Sequence, residues 1–112
     1  MNIYDTANKL ASEIKQSEEY QNFKMAKEVI NLNKELKEKI RKFETMRYET
    51  QIVQMQTGKQ DEEKLKSAKE LFSELVQDEV AKKYFDAETK FNILIADVNK
   101  IIGESIKDII KG

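Results

Sequence analysis

The side chains that most often carry enzyme chemistry are missing from this sequence. It contains no histidine and no cysteine, which removes the commonest general base, every Ser–His or Cys–His pair, and thiolate ligation of a metal. Carboxylates remain, and two sets of them could do chemistry. A partly buried Glu88, or the acidic run Asp61-Glu62-Glu63, could bind a hard cation through its oxygens.

Each of these carboxylate sets also has a structural interpretation, which we prefer. Glu88 lies at the margin of an apolar stripe, where a neighbouring helix or a lysine would hydrogen-bond to it. Asp61-Glu62-Glu63 has the composition of a helix N-cap and first turn, where negative charge favours the helix dipole. We therefore predict that the chain is not an enzyme and has no catalytic residue, no cofactor and no metal ligand.

The composition predicts helices along almost the whole chain. There is no proline, and the three glycines stand at 58, 103 and 112. Apolar spacing and cap residues predict helices at 3–15, 18–30, 34–57, 62–76 and 79–102, with a short tail helix at 104–110. Gly58 should end the third helix in a left-handed conformation, and Gly103 should end or bend the fifth.

Long helices joined by tight connections favour antiparallel packing. We therefore predict an all-α fold in which residues 1–112 form a single helical domain, a bundle or long hairpin of antiparallel helices that self-associates. The most apolar stretch, "KKYFDAETKFNILIADVNKII", supplies the expected core of the protomer, facing the third and fourth helices. This core stripe consists of Tyr84, Ala87, Phe91, Leu94, Val98 and Ile101.

The third helix is apolar on two opposite sides. Leu36, Ile40 and Phe43 lie on one side, whereas Tyr48, Ile52 and Met55 lie nearly opposite. A helix with two apolar faces needs cover on both. For the second face, a further copy of the chain and the fourth or fifth helix are equally good covers. Tyr48, Ile52 and Met55 are therefore our candidates for an oligomer interface.

The overall charge gives no electrostatic argument for nucleic acid or for an anionic membrane. Twenty basic residues balance 21 acidic ones, for a net charge of -1. The basic run at 34–42 is interleaved with Glu35 and Glu38, so a solvated face with intrahelical ion pairs is preferred to an RNA-binding patch. The sequence has no targeting signal, and apolar runs such as "ILIA" at 93–96 are too short to span a bilayer. A cytoplasmic location is expected.

The stretch "NIYDTANKLASEIKQSEEYQNFKMAKEVI" at 2–30 resembles the start of the YheA-like branch of the YlbF/YmcA family of small bacterial helical proteins. The likeness continues with Gln54, Gln56 and Gly58, and ends with Ala87-Glu88, Leu94, Asn99 and Ile101-Ile102. It covers nearly the whole chain. These residues concern packing and helix ends rather than catalysis.

The resemblance implies a cytoplasmic, self-associating, non-enzymatic accessory factor with protein partners. Relatives form complexes that influence competence, biofilm formation and RNA processing. Some relatives bind iron–sulfur clusters through cysteine, which this chain lacks, and relatives often have a proline where this chain has Ser105. We predict that the chain is an adaptor or regulator that forms a homo-oligomer, with a dimer as the preferred state, and that it binds an unidentified protein. The alternative is an RNA-binding or RNA-processing accessory protein that uses the basic face at 34–42.

Overall fold

The computed structural model of the protein describes residues 2–111, and all of their regular structure is helical. The elements are α1 (Ile3–Gln16), α2 (Glu18–Asn31), α3 (Lys34–Thr57), α4 (Glu62–Leu75), α5 (Glu79–Ser105) and α6 (Lys107–Lys111). No strand occurs within this described part of the chain. The prediction of an all-α protein is confirmed.

Polar side chains set the helix ends. The Ser17 hydroxyl donates to the carbonyl of Ile14 at 2.6 Å and accepts from the backbone N–H of Tyr20 at 3.2 Å, so one residue ends α1 and begins α2. Asn33 and Asp61 each accept the N–H three residues further on, at 3.1 Å. These bonds satisfy donors that a helix leaves open at its first turn.

The two internal glycines behave differently. Gly58 has φ 73°, and its N–H donates to the carbonyl of Gln54 at 2.8 Å, so it ends α3 in the predicted left-handed conformation. Gly103 does not end α5, which continues to Ser105. Its φ is not positive, and the helical hydrogen bonds simply carry on, because a glycine permits a helix end without requiring one.

The contacts of the chain fall into two compact units. The hairpin unit is Lys27–Tyr84, and the terminal unit comprises the chain up to Ala26 together with the chain from Phe85 onward. α2 and α5 each contribute residues to both units. The single domain expected over 1–112 stays a prediction.

The hairpin unit is built on α3 and α4, which run antiparallel. Three cross-helix contacts establish the direction: Lys39 with Glu74, Phe43 with Phe72, and Glu49 with Lys64. As the number on α3 rises, the number on α4 falls. Most buried apolar side chains of the protein belong to this unit, namely Ile30, Leu36, Ile40, Phe43, Ala68, Leu75, Ala81 and Tyr84.

The terminal unit has a much smaller core. Phe91 of α5 lies against two rings of α2, with centroids 6.0 Å from Tyr20 and 5.6 Å from Phe23. Among the described residues of this unit, Phe85 is the only buried apolar one, and α1 has no buried residue. Its packing is therefore mostly partial.

Candidate protein interaction site

The predicted core stripe divides between full, partial and negligible burial. Tyr84 is buried, and its hydroxyl donates to Glu44 Oε1 at 2.8 Å within the hairpin unit. Four members are half-buried: Ala87, Phe91, Leu94 and Val98. The prediction is wrong at Ile101, whose residue surface is 70% exposed.

The neighbours of the stripe change along α5: Tyr84 contacts α3, as expected, but Phe91 does not. At Phe91 the ring partners are both on α2 rather than on α3 or α4. Helical periodicity correctly identifies which positions share a face, but it does not say which element covers that face or how far the cover extends.

Tyr48, Ile52 and Met55 form a ridge along the second half of α3. Tyr48 is 64% exposed and Met55 is 85% exposed, whereas Ile52 is half-buried. Spacings of four and three place them in one row on the helix surface. The chain therefore leaves most of this ridge open, and a cover for it stays a prediction. We call these three residues the ridge.

A groove lies between α3 and α4 in the hairpin unit, with a volume of about 490 Å³. All of its lining residues belong to α3, α4 or the turn that joins them. Its floor is apolar and is formed by Phe43, Leu65, Ala68 and Phe72. The rings of Phe43 and Phe72 lie 5.4 Å apart, and Phe72 remains 36% exposed.

The charged residues that line this groove are both basic. Arg47 lines it from α3 and Lys69 from α4. The Arg47 guanidinium lies 5.3 Å from the centre of the Phe43 ring, a cation–π distance. The remaining polar lining consists of uncharged amides and hydroxyls, from Thr50, Gln51, Gln54, Gln60 and Ser73, and no described lining residue is acidic.

The groove was not predicted from the sequence. Phe43 and Phe72 lie nearly equidistant from Gly58, with 15 residues on one side and 14 on the other. Folding the chain at that glycine would have placed the two rings opposite each other, so the signal was available. Finding the groove required the pairing of α3 with α4, which the apolar pattern of either helix alone does not give.

The basic face at 34–42 is partly neutralised. Lys39 Nζ lies 3.7 Å from Glu35 Oε1 and 3.9 Å from Glu74 Oε1. Lys37 and Arg41 line a small pocket of about 240 Å³ that also contains the carboxylate of Glu44. Acidic groups within the face weaken its attraction for a phosphate backbone.

The acidic residues considered above as possible cation ligands lie at a helix start and on a half-buried helix face. Asp61 caps α4, with Glu62 and Glu63 in its first turn, and Glu88 is half-buried. Within residues 2–111, no three histidine, cysteine or acidic side chains come together as a metal site would require. Nor is any helix of that range long and apolar enough to cross a membrane.

Comparison with known proteins identifies relatives along the whole chain. The Com_YlbF family, described as "Control of competence regulator ComK, YlbF/YmcA", matches residues 3–107. The UPF0342 protein of Desulfitobacterium hafniense is 36% identical over 110 residues, covering 98% of this chain and 89% of that protein. That of Alkalihalophilus pseudofirmus is 33% identical over 108 residues, covering 96% and 92% respectively.

These relatives are bacterial, and the name UPF0342 states no activity, ligand or partner. No solved structure matches the chain significantly. The resemblance to the YlbF/YmcA family that the sequence suggested is confirmed.

Proposed function

We propose that this chain, which belongs to the YlbF/YmcA family, is a non-enzymatic regulatory accessory protein of the cytoplasm. It acts through protein–protein contacts, as an adaptor that pairs with a second copy of itself along α3 and presents helix faces to a protein partner. The family description, which concerns control of a regulator, supports the regulatory part.

The observation that carries the proposal is the open ridge on α3. Its outer members, Tyr48 and Met55, are both largely exposed on one row of the helix, with the half-buried Ile52 between them, and exposed large apolar side chains grouped on one face favour an interaction site. A two-fold contact between identical chains is the commonest way to cover such a surface, because one patch then serves both partners. No observation favours the alternative RNA-binding role, since the basic face at 34–42 includes its own acids.

The central experiment is the substitution Ile52→Glu, which places a charge in the middle of the ridge. We expect light scattering to report a smaller species while far-UV circular dichroism stays helical. Ser67→Glu is the matched control, because it adds the same charge at an exposed position of α4 that lines neither the ridge nor the groove. It should leave the assembly unchanged.

Two outcomes bear on the proposal in opposite ways. A smaller, still helical Ile52→Glu species supports an intermolecular ridge. A variant of unchanged size but reduced stability contradicts it, because the ridge would then be covered within the chain. For the partner, affinity purification from the native cell after nuclease treatment should still recover a protein, whereas loss of all partners on nuclease treatment would favour the RNA-binding role.

A further inference from the structure

We propose that the groove between α3 and α4 is the docking site for one amphipathic helix of a protein partner, with an apolar ridge and acidic flanks. This inference rests on the proposed function, that the chain works through protein contacts. It adds the place and the chemistry of the partner, and it concerns a different surface from the ridge.

The shape of the groove favours a helix as its occupant. Two antiparallel helices leave a furrow along their shared side, and a third helix fills such a furrow by placing its own side-chain ridge into it. On α3 the lining runs from Phe43 to Gln54. At about 1.5 Å of rise per residue this is roughly 16 Å, or about three turns of an incoming helix.

The floor requires an apolar ridge on that helix. Phe43 is buried and its ring lies 5.4 Å from that of Phe72, and Leu65 and the buried Ala68 belong to the same lining. The exposed part of Phe72 is therefore backed by packed side chains, which makes it a firm surface for leucine-like groups. Aromatic side chains with a fixed position are typical anchors of protein interfaces, because they lose little conformational freedom on binding.

The two edges of the groove, which we call its rims, favour negative charge on the bound helix. Arg47 and Lys69 stand on opposite helices, so a bound helix lies between two cations. None of the 21 acidic residues of the chain, all of them in its described part, lines the groove. Glu62 and Glu70 line an adjoining hollow along α4, which shares four lining residues with the groove, Lys69 among them, but neither glutamate lines the groove itself. Complementary charge across an interface sets the choice of partner, and acidic flanks are what these rims attract.

A single-stranded nucleic acid fits the groove less well. Sequence-tolerant binding of single strands uses several stacking rings in succession along a cationic track. The lining of this groove has two rings rather than a succession of them, and Phe43 is buried while Phe72 is 36% exposed. The five uncharged amide and hydroxyl residues of the lining suit the polar edges of a peptide helix.

The test uses the full chain and two synthetic peptides of about 14 residues, long enough for the roughly three turns of the groove. Both carry the same leucines at i, i+3, i+4 and i+7. One has glutamate at the flanking positions and the other has lysine. Binding is measured by fluorescence anisotropy at low and high salt, with a single-stranded oligouridine as a third probe.

We expect the glutamate peptide to bind at least about tenfold more tightly than the lysine peptide, with the preference falling as salt rises. The double variant Arg47→Glu/Lys69→Glu should invert the preference. The matched control is Arg41→Glu/Lys66→Glu, which makes the same charge change on the same two helices at exposed residues outside the groove lining. It should keep the wild-type preference.

Several outcomes overturn the proposal. Equal binding of the two peptides does so, as does a preference that the groove variant leaves unchanged or that both double variants lose equally. Tighter binding of the oligouridine, lost in the groove variant, reassigns the groove to nucleic acid. A smaller assembly in the groove variant, without peptide binding by the wild type, reassigns it to a second copy. If Ile52→Glu still shrinks the assembly in these cases, only the groove proposal fails.

Discussion

Tyr84 joins an apolar ring buried in the hairpin unit to a hydroxyl that donates to Glu44 Oε1 at 2.8 Å. A buried hydroxyl is costly without a partner, so this bond lets a polar atom sit among apolar side chains. It also links the first turns of α5 to α3. We predict that Tyr84→Phe lowers the free energy of unfolding by about 1 kcal/mol, the usual net value of such a bond.

Urea unfolding measures this loss as a lower midpoint at an unchanged slope. Tyr4→Phe is the control, because Tyr4 lies exposed on α1, and its change should stay within about 0.5 kcal/mol, as for most surface positions. Equal losses in the two variants would contradict a stabilising role for the bond to Glu44.

At the scale of the elements, the two internal glycines make a matched pair. Neither has an atom within 4 Å of the position that a Cβ would occupy, so backbone conformation decides the outcome. At Gly58, where φ is 73°, alanine should destabilise the protein by about 1–2 kcal/mol. At Gly103, inside α5, alanine should stabilise it by about 0.5–1 kcal/mol, because it is the better helix former.

Thermal or urea unfolding should show a lower stability for Gly58→Ala and a higher stability for Gly103→Ala if both glycines have the backbone conformations described. A destabilising Gly103→Ala would mean that another surface, such as a second copy, packs against this glycine and has no room for a methyl group. An unchanged stability for Gly58→Ala would contradict the left-handed end of α3.

The elements themselves were largely predictable, since their signals are local. Ser17, Asn33 and Asp61 carry the side-chain oxygens that begin helices, and they do begin them. The cover of each face was not predictable, because it depends on which helices lie side by side. Tyr84 and Ile101 belong to the same predicted stripe along α5, yet Tyr84 is buried and Ile101 is exposed.

The groove shows the same division between local and non-local information. Taken one helix at a time, the residues of the groove give no signal in the sequence. On α3 or α4 alone, each would be assigned either to a packed side or to a solvated side. Only the antiparallel register places Arg47 and Lys69 on opposite rims of one aromatic floor. The ridge, in contrast, lies on one helix, and its spacing is visible in the sequence.

For the molecule as a whole, burial is unevenly shared between the two units. The hairpin unit holds Leu36, Ile40 and most other buried apolar side chains, whereas α1 in the terminal unit has none. Regions with few buried apolar contacts open at lower free energy than the global unfolding of the protein. The chain should therefore combine a firm hairpin with more readily opened ends.

Hydrogen exchange tests this expectation directly. In dilute protein, backbone amides of α1 should exchange at least about tenfold faster than those around Ile40 and Phe43 in α3, because local opening of α1 exposes little apolar surface. Raising the protein concentration should increase protection around Tyr48 and Met55 if a second copy covers the ridge, since binding to the folded state stabilises it by mass action. The same series on Ile52→Glu should lose that increase and keep the contrast between α1 and α3. Protection that rises in α1 and not along the ridge would place the contact between copies on the terminal unit, and would remove α3 from the interface.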